Sequence, residues 1–267
     1  MIPSAFARQL FSGEKNMWWK IREWRRKKNL DRVRMDRDLW ESVRTDIPIL
    51  DSMAPDKAFQ LRDLASLFCH EKDFEGIHGL EVDEFMRGYV ATLACIPVLN
   101  FGLSALDAIT SIILYPSEFV PDTEEVDEAG IVHRRNEALS GEAWQNGPVV
   151  LSWEDVHASG QGSGYNVVIH EIAHILDMRN GEANGFPPLP RYMDSRAWSE
   201  AFRTAWKDAR KRINQNGHLP IGSYATESPA EFFAVCCEYF FECPHIIEKN
   251  WPGVFEQLSL YFEQPQV

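Results

Sequence analysis

The chain has 267 residues, of which 45% are hydrophobic and 25% are charged, a composition typical of a globular protein with a sizeable core. No apolar run approaches the roughly 18 residues that a membrane-spanning helix needs, and the amino terminus lacks the apolar stretch of a secretory signal. Five cysteines without even spacing argue against a disulfide framework. We therefore expect a cytoplasmic protein.

Charge is unevenly distributed along the chain. Ten basic and three acidic residues lie between Lys15 and Arg37, a local charge of +7, which leaves −20 for the rest of a chain whose total is −13. An acidic body has little with which to neutralise phosphates, so we expect no direct nucleic-acid binding. The basic segment contains Trp18, Trp19 and Trp24, a mixture that suits weak contact of residues 15–37 with a membrane surface but equally a solvated arm. We predict a basic, Trp-rich extension over residues 1–37 and one domain over residues 38–267.

Hydrophobic periodicity predicts several helices and a few short strands. The predicted helices cover residues 56–69, 82–99, 165–178, 197–213, 229–241 and 252–262. The predicted strands cover residues 109–115, 130–133 and 149–153. Because helices dominate a small sheet, the sequence predicts a mainly helical α+β fold.

The predicted helix YNVVIHEIAHILD carries a motif for metal chemistry. His170 and His174 are four residues apart, so they lie on one helix face and both imidazoles can reach one Zn²⁺. Glu171 is placed to take a proton from a zinc-bound water without being a ligand. This His-Glu-x-x-His arrangement is the zincin signature. The surrounding residues are apolar, and buried histidines and carboxylates are costly unless something pairs them.

The third zinc ligand has several candidates. The metzincin pattern is excluded, because its glycine and histidine positions hold Asp177 and Asn180. A thermolysin-like spacing points to Asp194, with Glu200 close by on a surface-patterned helix. Asp177, three residues after His174, is better placed as a partner that fixes the tautomer of an imidazole.

Glu231 is a more distant candidate at the start of an apolar helix. The stretch Ser228-Pro229-Ala230-Glu231 also matches a helix-capping box, so the residues alone leave cap and metal ligand as equal alternatives. Tyr224, seven residues earlier, could donate a hydrogen bond to a developing oxyanion, although a lone tyrosine in a loop is more often structural.

Four runs resemble the Mlc titration factor A (MtfA) family of bacterial zinc peptidases: HEIAHILDMRNG, SYATESPAEFFAVCCEYFF, LSGEAW and GPVVLSW. The resemblance covers about residues 39–262. It implies a zincin fold similar to the catalytic domain of anthrax lethal factor. It also implies one Zn²⁺ held by His170, His174 and Glu231, with Glu171 as general base and Tyr224 supporting the oxyanion.

The same resemblance implies a function. Family members show modest aminopeptidase-type activity on peptide substrates and bind the glucose repressor Mlc, which relieves repression of a sugar phosphotransferase gene. The alternative is a regulator that binds a Mlc-type repressor and whose zinc site is structural. The chain departs from the family in its basic extension, which lies outside the resemblance, and in a slightly different length of the loop between the two metal-binding segments.

Overall fold

The computed structural model describes residues 13–118, 124–126, 132–134, 141–144, 146–215 and 217–263. Its helices are α1 (Gly13–Val33), α2 (Arg37–Thr45), α3 (Pro55–Glu71), α4 (Glu84–Cys95), α5 (Trp153–Ala158), α6 (Val167–Asp177), α7 (Ser195–Asn214), α8 (Pro229–Glu242), α9 (Pro244–Asn250) and α10 (Pro252–Phe262). Its strands are β1 (Asp73–Gly76), β2 (Ser111–Tyr115), β3 (Glu124–Val126), β4 (Val132–Arg134), β5 (Gly141–Ala143) and β6 (Val149–Ser152). The predicted mainly helical α+β class is confirmed.

The main sheet has four strands in the order β1-β2-β6-β5. The first three strands are parallel, with Phe74 beside Ile112 and Ile112 beside Val149, whereas the edge strand β5 runs antiparallel to β6. Strands β3 and β4 form a separate antiparallel pair. The edge strand β5 contacts α6, so the edge of the sheet lies against the helix that carries the two histidines.

Helix α6 lies at the centre of the protein. It packs against α8, α4 and β5, and ten of its eleven residues are buried. A helix that is apolar on almost every side is expected to be enclosed in this way. Asn166 caps its first turn by accepting a hydrogen bond from the Ile169 N–H, which is why the helix begins two residues later than predicted.

All six predicted helices are present, and the three predicted strands correspond to β2, β4 and β6. Helix α4 ends at Cys95 rather than Leu99, because Pro97 has no N–H with which to continue the backbone hydrogen bonds of the helix. The short elements that were not predicted are α2, α5, α9, β1, β3 and β5. Elements this short carry too few residues for a periodic pattern and depend on tertiary contacts.

Helix α1 is anchored to the body by one buried arginine. Arg26 is only 3% exposed and donates hydrogen bonds to Glu71 at 2.7 and 2.8 Å, to Asp107 at 2.9 Å and to Glu23 at 2.7 Å. Leu30, one turn further on, packs against the core. The basic segment therefore rests on α3 over its second half. The boundary at residue 37 stays a prediction, and the side chains of Trp18 and Trp19 lie outside the described ones.

Two further features concern the cysteines and the helices. All five cysteines of the chain are described, and each is a free thiol. Across the described residues, every helix is too short or too polar to span a bilayer.

We expect Arg26→Ala to lower the free energy of unfolding by about 2 kcal/mol, because it leaves three carboxylates without their shared cation. The loss stays below that of a fully buried pair, since Glu71 and Asp107 keep 23% and 33% of their side-chain surface exposed. Urea unfolding measures the change. The neighbouring exposed Arg25→Ala is the control, and an equal loss in both variants would contradict the anchor.

Candidate metal centre and active site

Three ligand atoms from α6 and α8 form a compact triangle. The Nε2 atoms of His170 and His174 are 3.1 Å apart, and the Oε2 atom of Glu231 lies 3.0 Å from the first and 3.4 Å from the second. Two imidazoles and one glutamate make up the protein donor set of many catalytic zinc sites, and three tetrahedral ligands about 2.1 Å from zinc lie about 3.4 Å apart. The arrangement therefore fits a metal ion. Within the described part of the chain, no second group of three such side chains is present.

The start of α8 explains both alternatives for Glu231. The Ser228 hydroxyl caps the helix by accepting a hydrogen bond from the Glu231 N–H at 3.1 Å, and Pro229 occupies the first turn. The carboxylate of Glu231, however, is directed at His170 and His174 rather than back toward the cap. The backbone N–H of Glu231 thus takes part in the helix cap, whereas its side chain takes part in the candidate metal centre.

The thermolysin-like alternative is not supported by the structure. Asp194 is the N-cap of α7, where its carboxylate accepts a hydrogen bond from the Arg196 N–H at 2.9 Å. Glu200 lies exposed on the same helix. Neither carboxylate joins the group that could hold a metal ion.

Asp177 does not make the predicted contact with an imidazole. Its two carboxylate oxygens accept hydrogen bonds of 2.6 to 2.9 Å from the backbone N–H groups of Asn184, Gly185 and Phe186. The Nδ1 atom of His174 is buried and has no hydrogen-bond partner among the described residues. The prediction was wrong because Asp177 ends its helix beside loop amides that would otherwise be unpaired.

Glu238, rather than the predicted Asp177, is the carboxylate that contacts an imidazole of the triangle. Its Oε1 atom lies 2.8 Å from Nδ1 of His170, and its Oε2 atom accepts a hydrogen bond from the Asn166 N–H at 2.6 Å. A carboxylate acts only as an acceptor, so this contact keeps a proton on Nδ1 of His170 and leaves Nε2 as the nitrogen that can bind a metal ion once it has lost its own proton.

Glu242, one turn beyond Glu238, was also missed. It accepts hydrogen bonds from the Asn166 side chain at 2.7 Å and from the Gly160 and Gly162 N–H groups at 2.8 and 2.6 Å. Glu231 and these two carboxylates are spaced by seven and four residues, which places all three on one face of α8. Three acids on one stripe of an apolar helix were a signal that the sequence analysis could have used.

The carboxylates stabilise positive charge at the triangle. Burial lowers the pKa of His170, but hydrogen bonds with Glu231 and Glu238 outweigh it and raise that pKa to about 10. Burial raises the pKa of Glu231, but hydrogen bonds with His170 and His174 bring it well below its usual range. The site therefore favours a cation, and a proton and a metal ion compete for the same nitrogen.

Glu171 lies beside the triangle, close to the edge strand. It is 5% exposed, and burial raises its pKa, although the charges of His170 and His174 oppose the rise. Gly141 in β5 allows this approach, since a Cβ atom there would lie 2.6 Å from Oε1 of Glu171. A carboxylate with a raised pKa is suited to exchange protons near neutral pH.

Tyr224 reaches the same region from the 3-10 helix Tyr224–Thr226. Its ring centroid is 5.9 Å from that of His170, and the residue is 48% exposed. Burial and the negative charge of Glu231 raise the pKa of its phenol, so the hydroxyl keeps its proton and can donate it in a hydrogen bond.

A cavity of about 370 Å³ adjoins these groups. His170, Glu171 and Tyr224 form part of its wall. Its apolar wall residues are Val167, Ile221 and Val235. An apolar side chain of a bound molecule would thus lie next to the triangle formed by His170, His174 and Glu231.

Comparison with known proteins identifies the family. The model of the glucose-regulated metallo-peptidase M90 family matches residues 21–263. The chain belongs to this family. The M90 match begins inside the basic segment, so the similarity reaches further toward the amino terminus than the start near Leu39 that the sequence analysis gave.

Curated relatives agree with the M90 assignment. The chain is 36% identical to Mlc titration factor A of Escherichia fergusonii over 232 residues, which cover 86% of this chain and 87% of the relative. It is 36% identical over 228 residues to the protein of that name from Klebsiella pneumoniae, covering 84% and 85%. It is 35% identical over 227 residues to that of Cronobacter sakazakii, with the same coverage. The resemblance to the MtfA family is confirmed, and a metallopeptidase class with a bound metal ion follows from it.

Replacing Glu231 with Ala is expected to weaken zinc binding by more than about 100-fold, since loss of a ligand costs more than loss of an outer partner. Asp194→Ala is the matched control: it removes a helix cap worth about 1 kcal/mol and leaves zinc affinity unchanged. Competition with a chromophoric chelator measures both affinities. Wild-type affinity in Glu231→Ala together with a loss in Asp194→Ala would reverse the assignment.

Glu238→Gln keeps the shape of the side chain but removes the charge that holds Nδ1–H of His170. We expect a loss of about 10- to 100-fold in zinc affinity while the fold is kept. Glu248→Gln, an exposed change on α9, is expected to have no effect. Chelator competition and circular dichroism distinguish a local effect from unfolding, and unchanged affinity in Glu238→Gln would contradict the role of this contact.

Proposed function

We propose that the protein is a zinc-dependent peptidase in which His170, His174 and Glu231 hold one Zn²⁺ per chain. The observation that carries this proposal is the triangle of two imidazoles and one carboxylate beside the buried Glu171. Membership of the M90 family supports the same class. The proposal extends that class to a specific metal and specific residues.

Zinc, when bound, supplies a Lewis acid that polarises a peptide carbonyl and makes water more acidic. Glu171 takes a proton from the attacking water and delivers it to the leaving amine. Tyr224 donates its hydroxyl hydrogen bond to the oxygen on which negative charge develops. Glu238 holds the imidazole of His170 in the tautomer that turns its Nε2 lone pair toward the ligand triangle.

The surroundings suit a peptide as the substrate. An extended peptide could pair with β5, which lies at the edge of the sheet next to α6, and place an apolar side chain in the adjoining cavity. The carboxylates of Glu142 in β5 and Glu231 both act on Glu171, so the site is rich in negative charge. That charge favours a free α-amino group, in keeping with the aminopeptidase-type activity that the family resemblance implies.

A second candidate function follows from the printed name of the relatives. Mlc titration factor A names an interaction with Mlc, and we extend it to a Mlc-type repressor as partner of this chain. In this alternative the chain acts by binding and its metal centre is structural. Both functions place the protein in the cytoplasm, where its five free thiols would remain reduced.

Glu171→Gln tests the general base without removing a ligand. We expect unchanged zinc content and hydrolysis reduced by about 10² to 10⁴, because the variant cannot accept the proton. Aminoacyl-arylamides and internally quenched peptides, assayed with zinc-loaded protein, measure the rates and separate exo- from endopeptidase activity. Glu200→Gln, on the surface of α7, serves as the control.

The outcomes separate the two functions. Substantial turnover by Glu171→Gln would rule out its role as the base. If zinc-loaded wild type hydrolyses none of these substrates but captures a purified Mlc-type repressor, the regulatory alternative is correct.

A further inference from the structure

The outward side of α1 carries a regular stripe of cations around one exposed indole. Lys20, Trp24, Lys28 and Arg32 follow one another at intervals of four residues, so they lie along one helix face. All four are exposed, and Trp24 is 61% exposed. The Lys28 ammonium lies 5.3 Å from the centre of the Trp24 ring. We name these four residues the α1 stripe.

The opposite side of α1 holds the stripe in place. Arg26 lies on that side, where Glu71 and Asp107 fix it to the body, and Leu30 and Val33 pack against the core. The helix cannot roll to bury Trp24 without breaking the ion pairs of a nearly fully buried arginine. The α1 stripe is therefore a fixed outer surface.

Charge around the stripe is one-sided. Arg25 and Lys27 are exposed beside it. Among the described side chains of α1, Asp31 is the acidic one that is exposed on this face. The chain outside residues 15–37 carries −20. A negatively charged surface would repel that body and attract this face, so electrostatics alone would orient the protein.

A second basic helix shows what is distinctive about α1. Arg203, Lys207 and Lys211 are exposed at the same four-residue spacing along α7. The structure describes every residue of α7, and none of its large hydrophobic side chains is as exposed as Trp24. Charge is common to both helices, whereas the exposed indole belongs to α1.

We propose that the α1 stripe is a docking surface for an anionic lipid bilayer. Indole rings favour the headgroup region of a bilayer, where their apolar body and N–H are both satisfied, and flanking lysines and arginines bind acidic headgroups. A duplex nucleic acid would pair with the cations but would leave the indole without an apolar partner. Two weak contributions, one aromatic and one electrostatic, give reversible attachment rather than insertion.

The test measures sedimentation of the full chain with vesicles of phosphatidylcholine alone or mixed with phosphatidylglycerol. We expect binding only to the mixed vesicles. It is lost as the salt concentration rises from about 0.1 M to about 1 M, where the screening length falls from about 10 Å to about 3 Å. The triple variant Lys20→Glu, Lys28→Glu, Arg32→Glu is expected to bind at least about tenfold more weakly.

Two further variants decide what the charge reversal means. Arg203→Glu, Lys207→Glu, Lys211→Glu makes the same charge change on α7 and is expected to keep vesicle binding within about twofold, apart from the general effect of net charge. Trp24→Ala keeps every charge and is expected to lower binding to mixed vesicles. Circular dichroism and thermal unfolding confirm that each variant is folded.

Several results would overturn the proposal. They are no binding of the wild-type chain to mixed vesicles, an equal loss in both triple variants, or undiminished binding by Trp24→Ala. Absence of vesicle binding combined with stripe-dependent binding of duplex DNA would make the face a nucleic-acid surface instead.

Discussion

Buried charge between α6 and α8 is the constraint on which the rest of the structure depends. His170 and His174 lie within one apolar helix, and Glu231, Glu238 and Glu242 lie along one face of another. An unpaired carboxylate or imidazolium in such surroundings costs several kcal/mol. The two helices must therefore meet in the one arrangement that pairs these groups, so that packing and the candidate metal centre are specified by the same contacts.

The pairing extends from the ligands to the backbone that precedes α6. Glu238 and Glu242 together receive hydrogen bonds from Asn166 and from the N–H groups of Gly160 and Gly162. Gly164 has a positive φ, and a Cβ there would lie 2.5 Å from the Tyr239 ring, so the loop closes directly onto α8. A ligand set supported by such a shell is held in position before a metal ion or substrate arrives, which limits reorganisation on binding.

The same rule operates at the periphery of the protein. Asp177 is buried and is satisfied by three loop amides, and Arg26 is buried and is satisfied by three carboxylates. The first contact shapes the loop that follows the histidine helix, and the second fixes a basic helix on an acidic body. In each case one buried polar side chain determines where a segment with little apolar surface of its own can lie.

Local chemistry was readable in the sequence because it depends on residues that are near one another in the chain. The spacing of His170 and His174 places both on one helix face, the capping box at Ser228 marks a helix start, and the long motifs resemble a family that the comparisons confirm. Tertiary structure decided the rest. Glu231 meets His170 across 61 positions and Glu238 meets it across 68, and no periodicity reports contacts over such separations. Asp177 was assigned wrongly for the same reason: its partners were chosen by the fold of a loop, which pairs whichever backbone amides burial would otherwise leave without acceptors.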